Sequence, residues 1–236
     1  MVNDNYIIQD SDFKVEVLYN KTSEIKIQNE HKKGSLSIKK VDKDNNEVTI
    51  PNVSFDILDE EDNVVDTIIT GEDGIAKSKF LPIDQEYTIK EKNTGASYVL
   101  SEETKKVTLK ENEITNLTFN NYKEKGSIKI KKVSSDGNNI EGIEFKITGT
   151  TLTGENIEAT YKTDKNGEIL IDQILTGKFK IEELQNEINS NYIIPSEQVV
   201  TVENGKVTEV EFYNQLIETP KTGDERNIML ATIIGG

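Results

Sequence analysis

The chain has 236 residues, of which 34% are hydrophobic and 30% are charged, and its formal net charge is −15. This acidic balance argues against nucleic-acid binding, which requires a basic surface. With no cysteine and one histidine, any metal site would have to use oxygen ligands alone, and no acidic run has the spacing of a calcium-binding loop. We therefore expect no metal, no cofactor and no disulfide.

Short alternating runs of Val, Ile, Thr and Tyr, broken by Gly, Asn and Asp, predict an all-β protein. The runs form a tandem repeat, because GSLSIKKVDKD matches GSIKIKKVSSD and YTIKE matches FKIEE. Two complete repeats span 34–122 and 126–215. Each holds about six to eight predicted strands separated by turn signals, a spacing that favours a β-sandwich over a parallel βαβ fold.

The first 33 residues repeat the last third of the same unit. NYIIQDSD corresponds to SYVLSEET of the first complete repeat, and SEIKIQNEHKKG corresponds to TNLTFNNYKEKG. We interpret 1–33 as the C-terminal part of a truncated preceding repeat. Since its strands lack the rest of their sheet, we expect them to be poorly stable alone.

Each predicted sandwich carries three polar residues on its inner face. Side chains alternate along a strand, so Lys132 shares the apolar face of Ile128 and Ile130, where an ammonium group is costly. The same parity selects one lysine, one glutamate and one asparagine per repeat: Lys40, Glu91 and Asn121 in the first, and Lys132, Glu183 and Asn214 in the second. Such residues commonly lie at the solvated end of a strand. Their recurrence at matched positions favours a functional role.

These three groups have a chemistry of their own. Burial disfavours the charged forms of both an amine and a neighbouring carboxyl group, so the pair can exist as neutral amine and neutral acid. The amine can then attack the asparagine carbonyl, while the catalytic glutamate donates a hydrogen bond to the oxygen and shuttles protons as ammonia leaves. The predicted products are isopeptide bonds between Lys40 and Asn121 and between Lys132 and Asn214. In the truncated repeat, Asn29 is the equivalent asparagine and is left unpaired.

The sequence resembles the Cna B-type domains (collagen-adhesin B-repeats, SpaA-like pilin domains) of Gram-positive surface proteins. The resemblance lies in the opening G-S-x-x-I-K-K-V, the Y/F-x-I-x-E box and the closing F-x-N of each repeat. It implies tandem transthyretin-like, inverse-immunoglobulin β-sandwiches in which the isopeptide bond joins the first and last strands. The family's usual Ala-Pro-x-Gly-Tyr segment is replaced by KNTGASY and LQNEINSNY, although Tyr98 and Tyr192 are retained.

Residues 216–236 resemble a cell-wall sorting signal of the LPxTG class. Pro220, Thr222 and Gly223 match the motif, and a polar spacer and an apolar run follow. Thr219 stands where the family usually has leucine, and the apolar run is short, so we interpret the segment as a truncated signal. The resemblance implies that a sortase cleaves after Thr222 and links it to peptidoglycan or to another pilin subunit.

Together these features predict a structural stalk segment of a surface protein or pilin that is extracellular and covalently anchored to the Gram-positive cell wall. Its only chemistry would be single-turnover self-cross-linking, so we do not expect an enzyme. Two alternatives stay open. The repeats could be adhesin modules that bind a host extracellular-matrix protein or glycan, or spacers of a surface enzyme whose catalytic domain lies upstream.

Overall fold

The computed structural model describes residues 4–7, 12–138 and 140–218. Within these ranges every regular element is a strand, and no helix is present that is long and apolar enough to cross a membrane. The chain divides into two compact units between Glu124 and Lys125. The predicted all-β fold is confirmed.

The described part of the first unit contains ten strands. They are β1 (Tyr6–Ile7), β2 (Glu30–His31), β3 (Lys33–Asp42), β4 (Ser54–Leu58), β5 (Val64–Ile69), β6 (Ile75–Lys77), β7 (Leu81–Pro82), β8 (Glu86–Asn93), β9 (Thr104–Thr108) and β10 (Ile114–Asn121). From β3 onward they form two sheets, with strand orders β10-β3-β6 and β5-β4-β8-β9, and β7 pairs with the start of β3. The β3–β10 pair is parallel, and the other pairs of these two sheets are antiparallel.

Eight strands lie in the described residues of the second unit. They are β11 (Lys125–Ser134), β12 (Glu144–Thr151), β13 (Asn156–Lys162), β14 (Glu168–Leu175), β15 (Gly177–Glu183), β16 (Tyr192–Ile193), β17 (Gln198–Val202) and β18 (Val207–Leu216). Their sheets have the orders β14-β11-β18-β16 and β13-β12-β15-β17, and β11 is parallel to β18. The first and last long strands of each repeat therefore lie side by side.

The inner faces of the two sheets form one apolar core in each repeat. Alternation sends every second residue inward, as the sequence pattern predicts. The core of the first repeat includes Leu36, Ile38, Phe55, Ile57, Tyr87, Ile89 and Phe119, and that of the second includes Ile128, Ile130, Phe145, Ile147, Phe179, Ile181 and Phe212. All of these side chains are fully buried.

The glycine that opens each repeat is required by close packing. A Cβ atom at Gly34 would lie 2.3 Å from the carbonyl oxygen of Lys110, and one at Gly126 would lie 2.4 Å from that of Glu203. Both carbonyls belong to the turn before the last strand. The absence of a side chain therefore lets the first strand enter the sheet beside that turn.

The N-terminal segment repeats a local pairing of the complete repeats. Tyr6 pairs with His31 in an antiparallel bridge, and the equivalent pairs are Tyr98 with Lys123 and Tyr192 with Leu216. A residue with positive φ precedes the last strand of each complete repeat, Asn112 at 56° and Gly205 at 69°, and the equivalent Asn20 has a φ of 55°. Residues 12–29 form no strand and expose large apolar side chains, including Phe13, Val17, Ile25 and Ile27.

Candidate functional site

The fold brings the lysine, glutamate and asparagine of the first repeat together inside the sandwich. Lys40 lies on β3, Asn121 lies on the parallel neighbour β10, and Glu91 reaches them from β8 of the facing sheet. Their exposed fractions are 0%, 2% and 1%. The site is therefore an enclosed polar cluster between two sheets.

The three side chains form a closed ring of hydrogen bonds. The Nζ atom of Lys40 donates to Oε2 of Glu91 at 2.7 Å and to Oδ1 of Asn121 at 2.6 Å. The Nδ2 atom of Asn121 donates to the other carboxylate oxygen, Oε1, at 2.7 Å. Glu91 thus contacts the amide nitrogen and not the carbonyl oxygen that we expected, so its two oxygens face the nucleophile and the leaving group.

Aromatic side chains surround the lysine nitrogen. Its distances to the ring centroids of Phe55 and Phe119 are 5.7 Å and 5.9 Å, and the two rings are 5.0 Å apart. Burial lowers the pKa of Lys40, and the hydrogen bond and charge of Glu91 offset this effect only in part. The site therefore makes the neutral amine, which is the nucleophilic form of lysine, easier to reach than it is in water.

Two further residues, Thr94 and Asp42, make contacts at the ends of the strands that carry this site. Thr94, in the loop after β8, accepts the second hydrogen bond of Asn121 Nδ2 at 2.9 Å. Asp42, the Cα partner of Asn121, is fully buried and accepts a hydrogen bond from the Tyr98 hydroxyl at 3.0 Å. It also lies 3.3 Å from Nζ of Lys123. Asp42 has the strand parity of Lys40 and Thr94 lies in a loop, and neither was predicted as a site residue.

The second repeat places its equivalent residues on equivalent strands. Lys132 lies on β11, Glu183 on β15 and Asn214 on β18, with exposed fractions of 2%, 4% and 1%. Rings of Phe145 and Phe212, 4.9 Å apart, take the places of the aromatic pair in the first repeat. Burial lowers the pKa of Lys132, and the charge of Glu183 opposes that shift.

The hydrogen bonds of the second site are only partly those of the first. Asn214 Nδ2 donates to Oε1 of Glu183 at 2.5 Å, but Nζ of Lys132 donates to the carbonyl oxygen of Val133 at 2.7 Å. As a result, Oε2 of Glu183 and Oδ1 of Asn214 are buried with no hydrogen-bond partner in the described part of the chain. A rotation of the lysine side chain separates this arrangement from that of the first repeat.

A second asparagine also reaches the carboxylate of the second site. Asn189, which is fully buried, donates from Nδ2 to Oε1 of Glu183 at 2.9 Å. It lies in the LQNEINSNY segment, at the point where the sequence departs from the family pattern. That departure was the available signal of a different contact in the second repeat. Side-chain alternation could not identify Asn189, because it applies to strands and not to this loop.

The remaining predicted residues lie elsewhere. Asn29 is exposed, and the structure does not bring it into a buried cluster. Pro220, Thr222 and Gly223 lie outside the described residues. Across 4–7, 12–138 and 140–218, no group of His, Cys, Asp and Glu side chains is arranged to hold a metal ion.

The sequence profile of the SpaA family, described as a prealbumin-like fold domain, matches residues 34–123 and again residues 126–216. The chain belongs to this family. Prealbumin is another name for transthyretin, so the predicted tandem transthyretin-like β-sandwiches are confirmed. Within the SpaA family fold, the two clusters described above occupy the same position in each domain.

Solved structures similar to the chain include the Bacillus anthracis TIE protein and two pilins. The Bacillus anthracis TIE protein is 30% identical, with a TM-score of 0.69 over 89% of this chain and 39% of its own. GBS52, the minor pilin of Streptococcus agalactiae, is 19% identical over 80% of this chain and 99% of its own, with a TM-score of 0.38. The shaft pilin SpaA of Lactobacillus rhamnosus GG is 14% identical over 78% and 98%, with a TM-score of 0.35. None of the curated proteins compared with the chain matches it.

Proposed function

We propose that this chain is a structural stalk segment of a Gram-positive surface protein or pilin, and that each complete repeat is stabilised by an internal Lys–Asn isopeptide bond. The observation that carries the proposal is the buried ring formed by Lys40, Glu91 and Asn121. A nucleophile, a proton carrier and an acyl donor are already in contact there. Membership of the SpaA family supports the stalk role.

The bond-forming step balances without any added reactant. Nζ of neutral Lys40 attacks Cγ of Asn121, the Nζ–Cγ bond forms, and the Cγ–Nδ2 bond breaks. One proton passes from Nζ to Nδ2, which leaves as ammonia. Because Oε2 of Glu91 contacts Nζ and Oε1 contacts Nδ2, the carboxyl group can accept a proton at one end and donate one at the other. Glu91 is regenerated, and the reaction occurs once per chain.

Such a bond would suit a protein that carries tension. The first and last long strands of a repeat are adjacent and parallel, so a covalent link between them would transmit force across the sheet without loading its hydrogen bonds. In a chain with no cysteine, it would also do the work of a disulfide without an oxidant.

The surface location and anchoring form the second part of the proposal. Pro220, Thr222 and Gly223 would form a sortase motif, with cleavage after Thr222 and linkage to peptidoglycan or to another pilin subunit. Incubation with purified sortase and an amine nucleophile should release residues 223–236, and Thr222→Ala should prevent this. Release from the variant as well would contradict the assignment of the cleavage site.

The domain boundaries complete the proposal. We assign 34–122 and 126–215 as complete repeats, 216–236 as the sorting segment, and 1–33 as the last third of a preceding repeat. The recurring bridge of Tyr6 with His31 and the left-handed turn at Asn20 support the last assignment. Asn29 would then be the cross-linking asparagine of that repeat.

Proteolytic mapping tests the cross-link directly. Digestion of the purified protein and tandem mass spectrometry should yield one branched peptide that joins the segments around Lys40 and Asn121, and another that joins those around Lys132 and Asn214. Recovery of all four segments as linear peptides of unmodified mass would reject the proposal.

A further inference from the structure

The loop between β15 and β16 holds one side chain in a fixed orientation beside the second cluster. Asn189 is fully buried, and its Nδ2 donates to Oε1 of Glu183 and to the carbonyl oxygen of Leu184, both at 2.9 Å. Its Oδ1 accepts a hydrogen bond from the backbone amide of Asn186 at 2.7 Å. Both amide hydrogens and the amide oxygen are therefore engaged, so the side chain cannot turn without breaking hydrogen bonds in a buried place.

This contact distinguishes the two oxygens of Glu183. Oε1 accepts two hydrogen bonds, from Asn189 at 2.9 Å and from Asn214 at 2.5 Å. Oε2 has no hydrogen-bond partner among the described residues. Both lone pairs of Oε1 are thus used as acceptors, and Oε2 is the oxygen at which a proton can be taken up.

The first repeat shows what the free oxygen faces. There, Oε1 of Glu91 accepts a hydrogen bond from Nδ2 of Asn121, and Oε2 accepts one from Nζ of Lys40. By this correspondence, Oε2 of Glu183 is the oxygen available to Lys132 once its Nζ leaves the carbonyl of Val133.

The loop after the glutamate acts on different groups in the two repeats. In the first repeat, Thr94 of KNTGASY accepts a hydrogen bond from Asn121, the asparagine that the lysine attacks. In the second, Asn189 of LQNEINSNY donates to the proton carrier, Glu183. The loop of the first repeat thus positions the asparagine that is attacked, and the loop of the second repeat positions the glutamate that carries the proton.

We infer that Asn189 is a positioning residue for formation of the Lys132–Asn214 bond. It holds the Glu183 carboxylate with Oε1 against the leaving nitrogen of Asn214 and leaves Oε2 open to take the proton from Lys132. The reaction is the one already given: the Nζ–Cγ bond forms, the Cγ–Nδ2 bond breaks, and one proton moves from Nζ to ammonia by way of Glu183. The inference rests on the proposed cross-linking function.

Cell-free synthesis of the complete chain gives a time course for the test. A Lys40→Ala background removes the first bond, so that any loss of ammonia reports the second. Elongation is stopped, aliquots are held at set pH values and quenched in acid, and the intact mass is measured against time. Asn189→Ala removes the whole amide, while Asn189→Asp keeps the shape and the Oδ1 acceptor but removes both N–H donors.

Asn186→Ala is the matched control. Asn186 stabilises the same loop. Its Oδ1 accepts from the backbone amides of Ile188 at 2.9 Å and Asn189 at 3.2 Å, and its Nδ2 donates to the carbonyl of Gly142 at 3.3 Å. Among the described residues, its side chain makes no hydrogen bond to Glu183. Thermal melting of every variant verifies that the second domain is folded.

We expect both Asn189 variants to slow the second bond by about 10-fold to 100-fold, because misplacement of a reacting group by about 1 Å has effects of this size. Asn189→Ala should also change the shape of the pH–rate profile of the second bond, because it removes a hydrogen bond from the carboxyl group that moves the proton. Asn186→Ala removes one hydrogen bond to the backbone of Asn189 but none to Glu183, so it should slow the reaction much less and leave the profile unchanged.

The possible results distinguish the positioning role of Asn189 from the cross-linking reaction itself. Unchanged rates and profiles in both Asn189 variants, or an equal effect of Asn186→Ala, would overturn the positioning role while leaving the cross-link intact. If the folded Lys40→Ala parent itself loses no ammonia, the cross-linking of the second repeat is wrong, and the positioning role fails with it.

Discussion

Nζ of Lys40 lies 2.6 Å from Oδ1 of Asn121, across two parallel strands and inside an apolar core. The Cα partner of Lys40 is Phe119, and that of Asn121 is Asp42, so the two side chains meet on a diagonal of the ladder. Burial of an ammonium group is costly unless it is paired or neutralised. Conversion of the amine into an amide would remove that cost permanently, which gives the position of the lysine a physical reason.

Replacement of this lysine should destabilise the first repeat. In Lys40→Met the volume is nearly kept, but the link that closes a loop of about 80 residues is lost. By analogy with disulfide loop closure, this should lower the free energy of unfolding by about 4–5 kcal/mol. Denaturant titration of the first-domain transition measures the change. Lys39→Met, at the exposed neighbouring position, should stay within about 0.5 kcal/mol of the parent, and equal stability of the two variants would argue against a bond at Lys40.

The carboxyl group should be required for the chemistry of its own repeat only. Glu91→Gln keeps the size and shape of the side chain, but its amide cannot carry a proton from Nζ of Lys40 to Nδ2 of Asn121. The purified variant should therefore have lost one ammonia where the parent has lost two. Glu86→Gln, an exposed position on the same strand, should still lose two. A full loss in Glu91→Gln would mean that another group moves the proton.

Stability should depend on pH through Asp42. Burial alone raises the pKa of this carboxyl group, but hydrogen bonds from the Asp44 backbone amide, the Tyr98 hydroxyl and Lys123 outweigh it, so its pKa lies below the usual range. Its stabilising effect is then fully present above the unfolded-state pKa, about 3.9, and is lost as the pH falls through the lower folded-state value. Asp42→Asn should be less stable than the parent at pH 7, and the gap should shrink in acid. Thermal melting between pH 7 and pH 2 measures this, and a gap that stays constant would refute the assignment.

The glycine that opens each repeat should not tolerate a side chain. In Gly126→Ala the new Cβ would lie 2.4 Å from the carbonyl oxygen of Glu203, so the backbone must shift, at a cost of about 1–3 kcal/mol. Gly71→Ala is the control, because the nearest atom to its Cβ is the carboxylate end of Asp73 at 3.3 Å. Equal melting temperatures for the two variants would show that the opening glycine is dispensable.

The sequence was informative wherever a period or a repeat could be compared. Alternation along the strands separates buried Lys40 from exposed Lys39, and the repeat extends the same assignment to Lys132. The structure shows this burial directly, because the side-chain period of a strand fixes which face each residue takes.

Strand alternation could not predict the contacts of loop residues or the rotamer that a side chain adopts. Asn189 and Thr94 lie in segments without a period, so nothing in the pattern indicates where their side chains point. The orientation of Lys132 toward Val133 is a choice among side-chain rotamers that alternation does not determine. Likewise, Asp42 is buried at a strand end because Tyr98 and Lys123 converge on it, and that convergence depends on tertiary structure.

The most direct test of the cross-linking account is the intact mass of the purified, folded protein. Each bond expels one ammonia, so the mass should fall below that of the sequence by two ammonia molecules, and Lys40→Met and Lys132→Met should each restore one loss. A folded protein with the full mass of its sequence would contradict the account.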